Sequence, residues 1–554
     1  MAKPVILAVD DDREVLQAVA RDLRAKYADD FRILRASSGE EALDALRELR
    51  LRDETVALLL VDQRMPGMTG VQFIEQAMEH YPKARRVLLT AYADTDAAIR
   101  AINDVHVDYY LLKPWDPPTV QLYPVLDDLL DDWLASFTPS SQGVRLIGHR
   151  WSPEANRSRE FMARNQVPYH WYDLDNNSQA KELLTATGLE RPALPVLILQ
   201  DGTTLQSPSN EVIASRLGMQ QPPELPLYDL VVVGAGPAGL AAAVYGASEG
   251  LKTALIESEA AGGQAGTSSL IENYLGFPSG LSGADLARRA LTQARRFGAE
   301  FLLTREGARL EPMEGSTTLH LADGSSISAL SVIIATGVRY RFLEAPGCSE
   351  LTGRGVYYGA ASTAAESLRG EDVFIVGGAN SAGQAALHFA KPARKVTMLV
   401  RGESLSASMS QYLIRRISEL ENIEVLYQTE VEEAIGHEKL EALQLRNSSG
   451  KSWQVTASTL FVFVGAAPRT EWLDTSVARD KQGFILTGRD LMKDNRYPAG
   501  WSLERAPLLL ETSAPGVFAA GDVRYGSGKR VAAAVGEGSM AVMLVWEYRR
   551  SLGL

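Results

Sequence analysis

Residues 228–240 read Tyr-Asp-Leu-Val-Val-Val-Gly-Ala-Gly-Pro-Ala-Gly-Leu, an apolar strand that runs directly into spaced glycines and an alanine-rich helix. No other short stretch of the chain narrows its fold so far. Gly234 permits the tight turn, Gly236 lets backbone approach a pyrophosphate, and Gly239 lets helix and strand pack closely. The helix behind them presents backbone N–H groups and a positive dipole end to an anion. Glu257 closes the next strand, 253–256, where a carboxylate accepts hydrogen bonds from an adenosine ribose. The segment therefore predicts a parallel α/β sheet that binds a dinucleotide. A second strand, turn and helix follow at 373–383, with Gly377, Gly378, Asn380, Ser381 and Ala382 around the turn and a further strand at 395–400. Two such folds in one chain point to a flavin on one and a nicotinamide on the other. Residues 516–522 end another apolar strand in Gly521-Asp522. Asp522 suits a ribityl hydroxyl, and the helix near 532–546 can turn its N-terminus toward the pyrimidine edge of the flavin.

These segments fill only the C-terminal part of 554 residues, a length that predicts three or four domains at about 100–200 residues each. Residues 1–125 alternate short apolar strands (5–9, 32–35, 57–61, 86–89, 109–112) with helical periodicity, the pattern of a doubly wound α/β domain. In such sheets ligands bind at the carboxyl ends of the strands. Asp10 and Asp11, Asp62, Thr90 and Lys113 stand there. This set suits a hard cation and a phosphoryl group: Asp10, Asp11 and Asp62 hold Mg2+, Asp62 attacks phosphorus, and Thr90 and Lys113 bind the transferred oxygens. Together with Asp62-Gln63-Arg64-Met65-Pro66-Gly67 and Leu112-Lys113-Pro114, the set resembles the flavodoxin-like receiver domain of bacterial response regulators. The resemblance implies a histidine kinase or other phosphodonor as partner, and makes Tyr110 the aromatic that reports phosphorylation.

Residues 126–143 begin as an acidic helix tail and end in a polar linker, Thr138-Pro139-Ser140-Ser141-Gln142-Gly143. Residues 144–222 then show the order βαβαβ, an Asp201-Gly202 turn and a closing helix, which resembles the thioredoxin fold and in particular glutaredoxin-like proteins. The resemblance implies a cis bond before Pro195. Its first helix would start with two cysteines, but the segment reads Trp151-Ser152-Pro153-Glu154-Ala155-Asn156 and has no thiol. This segment is expected to serve structure or docking.

From about 227 to 554 the chain resembles the low-molecular-weight thioredoxin reductase family. Further matches are Gly262-Gly263-Gln264, the run from Ile271 to Pro278, Ala335-Thr336-Gly337 and Val464-Gly465-Ala466-Ala467-Pro468. The resemblance implies two dinucleotide-binding domains: an FAD domain made of 227–345 and 470–554, and an inserted NAD(P)H domain at 346–469. It assigns FAD to Gly234, Gly236, Gly239, Glu257, Gln264, Asn273, Thr336, Gly337, Gly521, Asp522, Arg530 and Val531. NAD(P)H falls to Gly377, Gly378, Asn380, Ser381, Ala382 and Arg401, with Arg401 favouring NADPH over NADH. A homodimer, and a rotation between the two domains, are implied as well.

The departures decide the chemistry. The chain has one cysteine, Cys348, so no intramolecular disulfide can form. The family's two redox cysteines are replaced by Gly359 and Ser362. A thiolate is the attacking group in disulfide exchange, and neither residue supplies one. The expected function is thus a phosphorelay-regulated flavoprotein oxidoreductase that passes electrons from NAD(P)H through FAD to an unidentified acceptor. The same missing thiols motivate a second reading, an FAD-binding signalling module that works by exchanging partners. Lys plus Arg number 56 against 69 Asp plus Glu, a net charge of −13 without a basic block, which argues against nucleic acid. No run of about 18 apolar residues occurs, so no membrane partner is expected, and the cytoplasm is the expected location.

Overall fold

The computed structural model describes residues 3–52, 54–90, 107–136, 143–189, 191–268, 270–278, 280–313, 315–359, 368–492, 494, 496–498 and 500–553. The chain divides into two units, 1–138 and 139–554.

In the first unit, five parallel strands, β1 (Val5–Val9), β2 (Arg32–Ala36), β3 (Val56–Asp62), β4 (Arg85–Thr90) and β5 (Tyr109–Leu112), lie in the order β2-β1-β3-β4-β5. Every residue of β1 and β3 is buried, which is why both read as unbroken apolar runs rather than alternating ones. The strand order reverses between β1 and β3, so their carboxyl ends form the crevice in which such sheets place a ligand. Asp12 starts the helix Arg13–Tyr27 by accepting from the N–H groups of Glu14 (2.9 Å) and Val15 (3.3 Å). The last helix, Tyr123–Ser136, buries Leu126, Leu130 and Trp133, one stripe at i, i+4 and i+7, in the same core as Phe31 and Leu23. That stripe carries the first unit past residue 125 into the segment read from sequence as a linker, of which 137–142 lie outside the described residues.

The second unit opens with a four-stranded mixed sheet: β6 (Val144–Gly148), β7 (Tyr169–Asp173), β8 (Val196–Ile198) and β9 (Thr204–Gln206), in the order β7-β6-β8-β9. β6 and β7 are parallel, and β8 and β9 run antiparallel to their neighbours. The helices Pro153–Arg164, Ser178–Ala186 and Asn210–Arg216 accompany it, and the Leu194–Pro195 bond is cis, as expected. This sheet has small cores of its own, yet it clusters with everything that follows as one compact unit.

A seven-stranded sheet comes next, built from Leu227–Val233, Thr253–Glu257, Glu300–Leu303, Gly307–Met313, Ser316–Leu321 and Ser326–Ile334, and joined in parallel by Val517–Ala519. The inserted residues form a separate five-stranded parallel sheet (Val356–Tyr358, Leu460–Val462, Asp372–Val376, Lys395–Val400, Ile423–Tyr427) and a three-stranded antiparallel one. The chain crosses between the two parts at Val338–Tyr340 and Ala466–Pro468, and these crossings pair antiparallel with each other. No helix among the described residues is long and apolar enough to cross a membrane.

Candidate functional site

At the head of the first sheet, the carboxylates of Asp10, Asp11 and Asp62 offer oxygens that all lie within 4.8 Å of one another. Lys113 Nζ reaches both buried acids, Asp10 Oδ2 at 2.7 Å and Asp62 Oδ1 at 2.6 Å. The remaining oxygens of these two acids are also held: Asp10 Oδ1 accepts from the Asp12 N–H and Asp62 Oδ2 from the Arg64 N–H. Burial pushes the pKa of Asp10 up, against the pull of Lys113. For Lys113 burial acts downward, but its hydrogen bonds to Asp10 and Asp62 outweigh it and raise its pKa, so the ammonium stays charged. Thr90 is buried at the end of β4. Asp10, Asp11, Asp62 and Lys113 thus converge, and the Thr90 carbonyl beside them accepts from the Lys113 N–H (2.9 Å). Acidic oxygens with an exposed member, Asp11, are the donor chemistry that a divalent hard cation takes.

The first dinucleotide cradle is built by three glycine turns that meet. Gly234 has φ +104°, and a Cβ there would lie 2.5 Å from the Ala335 carbonyl oxygen. A Cβ on Gly239 would come within 1.7 Å of the Gly234 oxygen, so only glycine lets the helix Pro237–Ser248 start this close to its strand. Gly263 lies against Gly236, Gly262 N–H donates to the Ala235 carbonyl (2.7 Å), and Gly521 packs on Ala238. The space above Gly236 is open, with nothing within 4 Å of a built Cβ. Glu257 is buried and spends both oxygens on the cradle, accepting from the Ala235 and Glu259 N–H groups, each at 2.8 Å. Burial raises its pKa. Asp522 is also pushed up by burial, and among the described residues its side chain takes only a long hydrogen bond from Ser527 (3.5 Å). An acceptor so placed suits a hydroxyl donor, and an open helix N-terminus suits a pyrophosphate, so the residues present fit FAD. Thr336 Oγ1 donates to the Arg469 carbonyl (2.8 Å), Gly337 adopts φ +65°, and Gln264 Nε2 donates to the Val338 carbonyl (2.8 Å). Asn273 and Arg530 are exposed, and Val531 begins the helix Val531–Ser551.

In the second cradle Gly377 has φ +140° and Ala379 caps the helix Asn380–Phe389, with Ala382 buried in its first turn. Asn380 Oδ1 accepts from the Ser410 N–H (2.7 Å) and Ser408 Oγ donates to the Gly378 carbonyl (2.8 Å), so these contacts shape the turn itself. Arg401 is exposed after the strand Lys395–Val400. Tyr340, on the first crossing strand, has its hydroxyl beside Ser381 and stands edge-on to Phe463. The same ring occupies the ground in front of Gly359: a Cβ there would lie 2.7 Å from Tyr340 Cε2, and Gly359 has φ +85°. Ser362 lies outside the described residues. Cys348 is wholly buried, its thiol pushed up to about 11 by desolvation.

Sequence reasoning missed three groups that hold this arrangement. Glu537 accepts from the Gly521 N–H (2.8 Å) while paired with Arg524 (2.6 Å). Glu511, with no exposed surface, is paired with Arg505 (2.6 Å) and accepts from the N–H groups of Leu508 and Gly516. Glu259 joins Arg164 (2.9 Å) and Arg469 (3.1 Å).

Residues 228–538 match the family described as pyridine nucleotide-disulphide oxidoreductase, and residues 6–122 match the response regulator receiver domain. The chain is 33% identical over 329 residues to the thioredoxin reductase of Listeria innocua, covering 59% of this chain and 95% of that protein. It is 32% identical over 329 residues to the thioredoxin reductase of Peptoclostridium acidaminophilum, covering 58% and 97%. Among solved structures, the thioredoxin reductase of T. acidophilum superposes with a TM-score of 0.52 at 28% identity, over 59% of this chain and all of that one.

Proposed function

Because the chain belongs to the pyridine nucleotide-disulphide oxidoreductase family, we propose that it is a phosphorelay-controlled reductase that passes electrons from NADPH through FAD to an acceptor without an internal thiol. It is an FAD-dependent NAD(P)H oxidoreductase of the thioredoxin reductase kind, fused to a receiver domain and lacking that kind's disulfide. When bound, FAD supplies the two-electron redox centre. The helix Pro237–Ser248 directs its N-terminus at the pyrophosphate, and Asp522 accepts from a ribityl hydroxyl. Gly377, Gly378 and the head of the helix Asn380–Phe389 hold the nicotinamide dinucleotide, with the Arg401 guanidinium free to meet a 2′-phosphate.

The observation that carries this reading is the junction between the cradles: Gln264 Nε2 donates to the Val338 carbonyl (2.8 Å), and the crossing strand Val338–Tyr340 carries the Tyr340 ring to Phe463 and the side chain of Ser381. It sets the head of the second helix beside the strand that the flavin-side loop holds. Under anaerobic titration NADPH is expected to bleach the oxidised-flavin band, and NADH to do so more weakly. Flavin that stays oxidised with both would overturn the reading.

Control is read as phosphorylation of Asp62 by a histidine kinase or small phosphodonor with Mg2+ held by Asp10, Asp11 and Asp62. The Asp62 carboxylate attacks the donor's phosphorus as the donor's P–N or P–O bond breaks and its imidazole or carboxylate leaves, Lys113 neutralises the charge that builds up, and Thr90 takes a transferred oxygen. We read residues 144–222 as a thioredoxin-like segment on the order of its strands and helices, used for docking. The homodimer is proposed from the relatives alone.

A further inference from the structure

One helix, Pro153–Arg164, touches both dinucleotide-binding parts. At its C-terminal end Arg164 Nη1 pairs with Glu259 Oε2 (2.9 Å), Nη2 donates to the carbonyls of Ala260 (3.4 Å) and Gly263 (3.3 Å), and Asn165 Nδ2 donates to the Glu259 carbonyl (3.0 Å). These acceptors lie on the loop that closes the first cradle. At its N-terminal end Asn156 Nδ2 donates to the Gly353 carbonyl (3.0 Å), and Pro153 packs so tightly on Gly353 that a Cβ there would be 3.0 Å from the proline Cα. Beside this contact Lys439 Nζ stands 5.9 Å from the centre of the Trp151 ring. Gly353 and Lys439 belong to the part that carries the second cradle.

The segment is anchored to the first part a second time by its tail. Gln220 Nε2 donates to Thr304 Oγ1, Arg305 Nη2 to the Gln221 carbonyl, and the Glu224 N–H to Glu300 Oε1, each at 3.0 Å. Glu259 adds a third tie, because its other oxygen takes Arg469 (3.1 Å), immediately after the second crossing strand. Burial pulls its pKa up, but the Arg469 and Arg164 guanidiniums outweigh burial and hold the carboxyl below its usual range. The junction therefore stays charged at neutral pH.

We infer that the helix Pro153–Arg164 is a strap that keeps the two dinucleotide-binding parts in one relative arrangement throughout turnover. The inference rests on the electron path proposed above. A carrier thiol would have to travel between flavin and outside partner, and the parts would have to separate to let it. Here the only thiol is buried in the core of the second part, so no thiol carrier has to alternate, and the bonds at both ends of the strap oppose alternation.

The test joins strap and second part covalently. Arg150 and Lys439 flank the Trp151 ring and lie outside both cradles. In full-length Arg150→Cys/Lys439→Cys, a short flexible bismaleimide bridges the new thiols while buried Cys348 stays unmodified. NADPH oxidation with ferricyanide is expected to change by no more than about twofold on cross-linking. A loss of about tenfold or more, with the unlinked variant still active, would overturn the strap. If the unlinked protein does not oxidise NADPH at all, it is the proposed function that has failed. Amide exchange then decides the strap independently: protection at 153–165, 259–263 and 353–358 that persists when NADPH is added supports it, and loss of that protection overturns it. Arg164→Ala is expected to speed exchange in all three segments.

Discussion

Two places in this chain correspond to reaction centres of known families, and only one keeps its chemistry. At the carboxyl ends of β1, β3, β4 and β5 the groups for phosphoryl transfer are present and engaged, with Lys113 held between Asp10 and Asp62. At Gly359 the thiol is missing, and the ring of Tyr340 fills the ground where its Cβ would stand. The second place is therefore more than a deletion of reactive atoms. Backbone conformation and ring placement are both fitted to glycine. An intact site is recognised by polar groups that satisfy one another, and an abandoned one by apolar surface that has closed over it.

The most severe test of this contrast is Asp62→Asn, which should abolish all incorporation of phosphate from acetyl phosphate and Mg2+ on a phosphate-affinity gel. Retained labelling would mean that the intact site is not where the chemistry happens. Next in size is the one thiol. Its pKa of about 11 against an ordinary 9.0 means a thiolate fraction about 100-fold lower at pH 8, rising only as pH climbs toward 11. Iodoacetamide labelling followed by mass spectrometry should find Cys348 unmodified in native protein and modified after denaturation; fast native labelling would restore redox chemistry to the region. Gly239→Ala must displace the Gly234 backbone and should weaken FAD binding by about 3 kcal/mol, roughly 100-fold, measured by flavin release on dilution. Gly359→Cys/Ser362→Cys should gain no disulfide reductase activity toward thioredoxin and should lose about 1–3 kcal/mol of stability in denaturant titration, from overpacking and a left-handed non-glycine residue. Activity regained would show that Tyr340 yields easily. The smallest effect belongs to Tyr340→Phe, which keeps the ring and removes the hydroxyl beside Ser381: at most about 1 kcal/mol, read as a higher KM for NADPH with the stability change near zero.

Much of this was readable before any coordinates. Strand-end acids announce themselves because βα repeats set the sheet and the sheet order sets which ends meet, and Gly234 and Gly239 announce a cradle because a Cβ at either would collide with backbone. What was not readable depends on pairs distant in sequence. Arg164 and Glu259 belong to segments that each make sense alone, and no period or spacing links them. Nor does sequence say that Glu257 turns both oxygens to backbone N–H groups, or that the stripe Leu126, Leu130 and Trp133 makes a helix of a presumed linker part of the first core. The replacement of thiols was plain from a count of one cysteine; that the Tyr340 ring stands against Gly359 required the fold.

The strand Val517–Ala519 lies beside Ser326–Ile334 in the seven-stranded sheet, although nearly two hundred residues separate them in the chain. A ribosome thus releases the inserted part, with its own cores, before it has made the last strand of the seven-stranded sheet. Long-range parallel pairing of this kind forms slowly because loop closure must precede it. During synthesis the inserted part can mature as an island while the flavin-binding sheet waits with an open edge beside Val332, Ile333 and Ile334, so FAD is expected to enter last, once the C-terminal strand and the helix Val531–Ser551 have arrived.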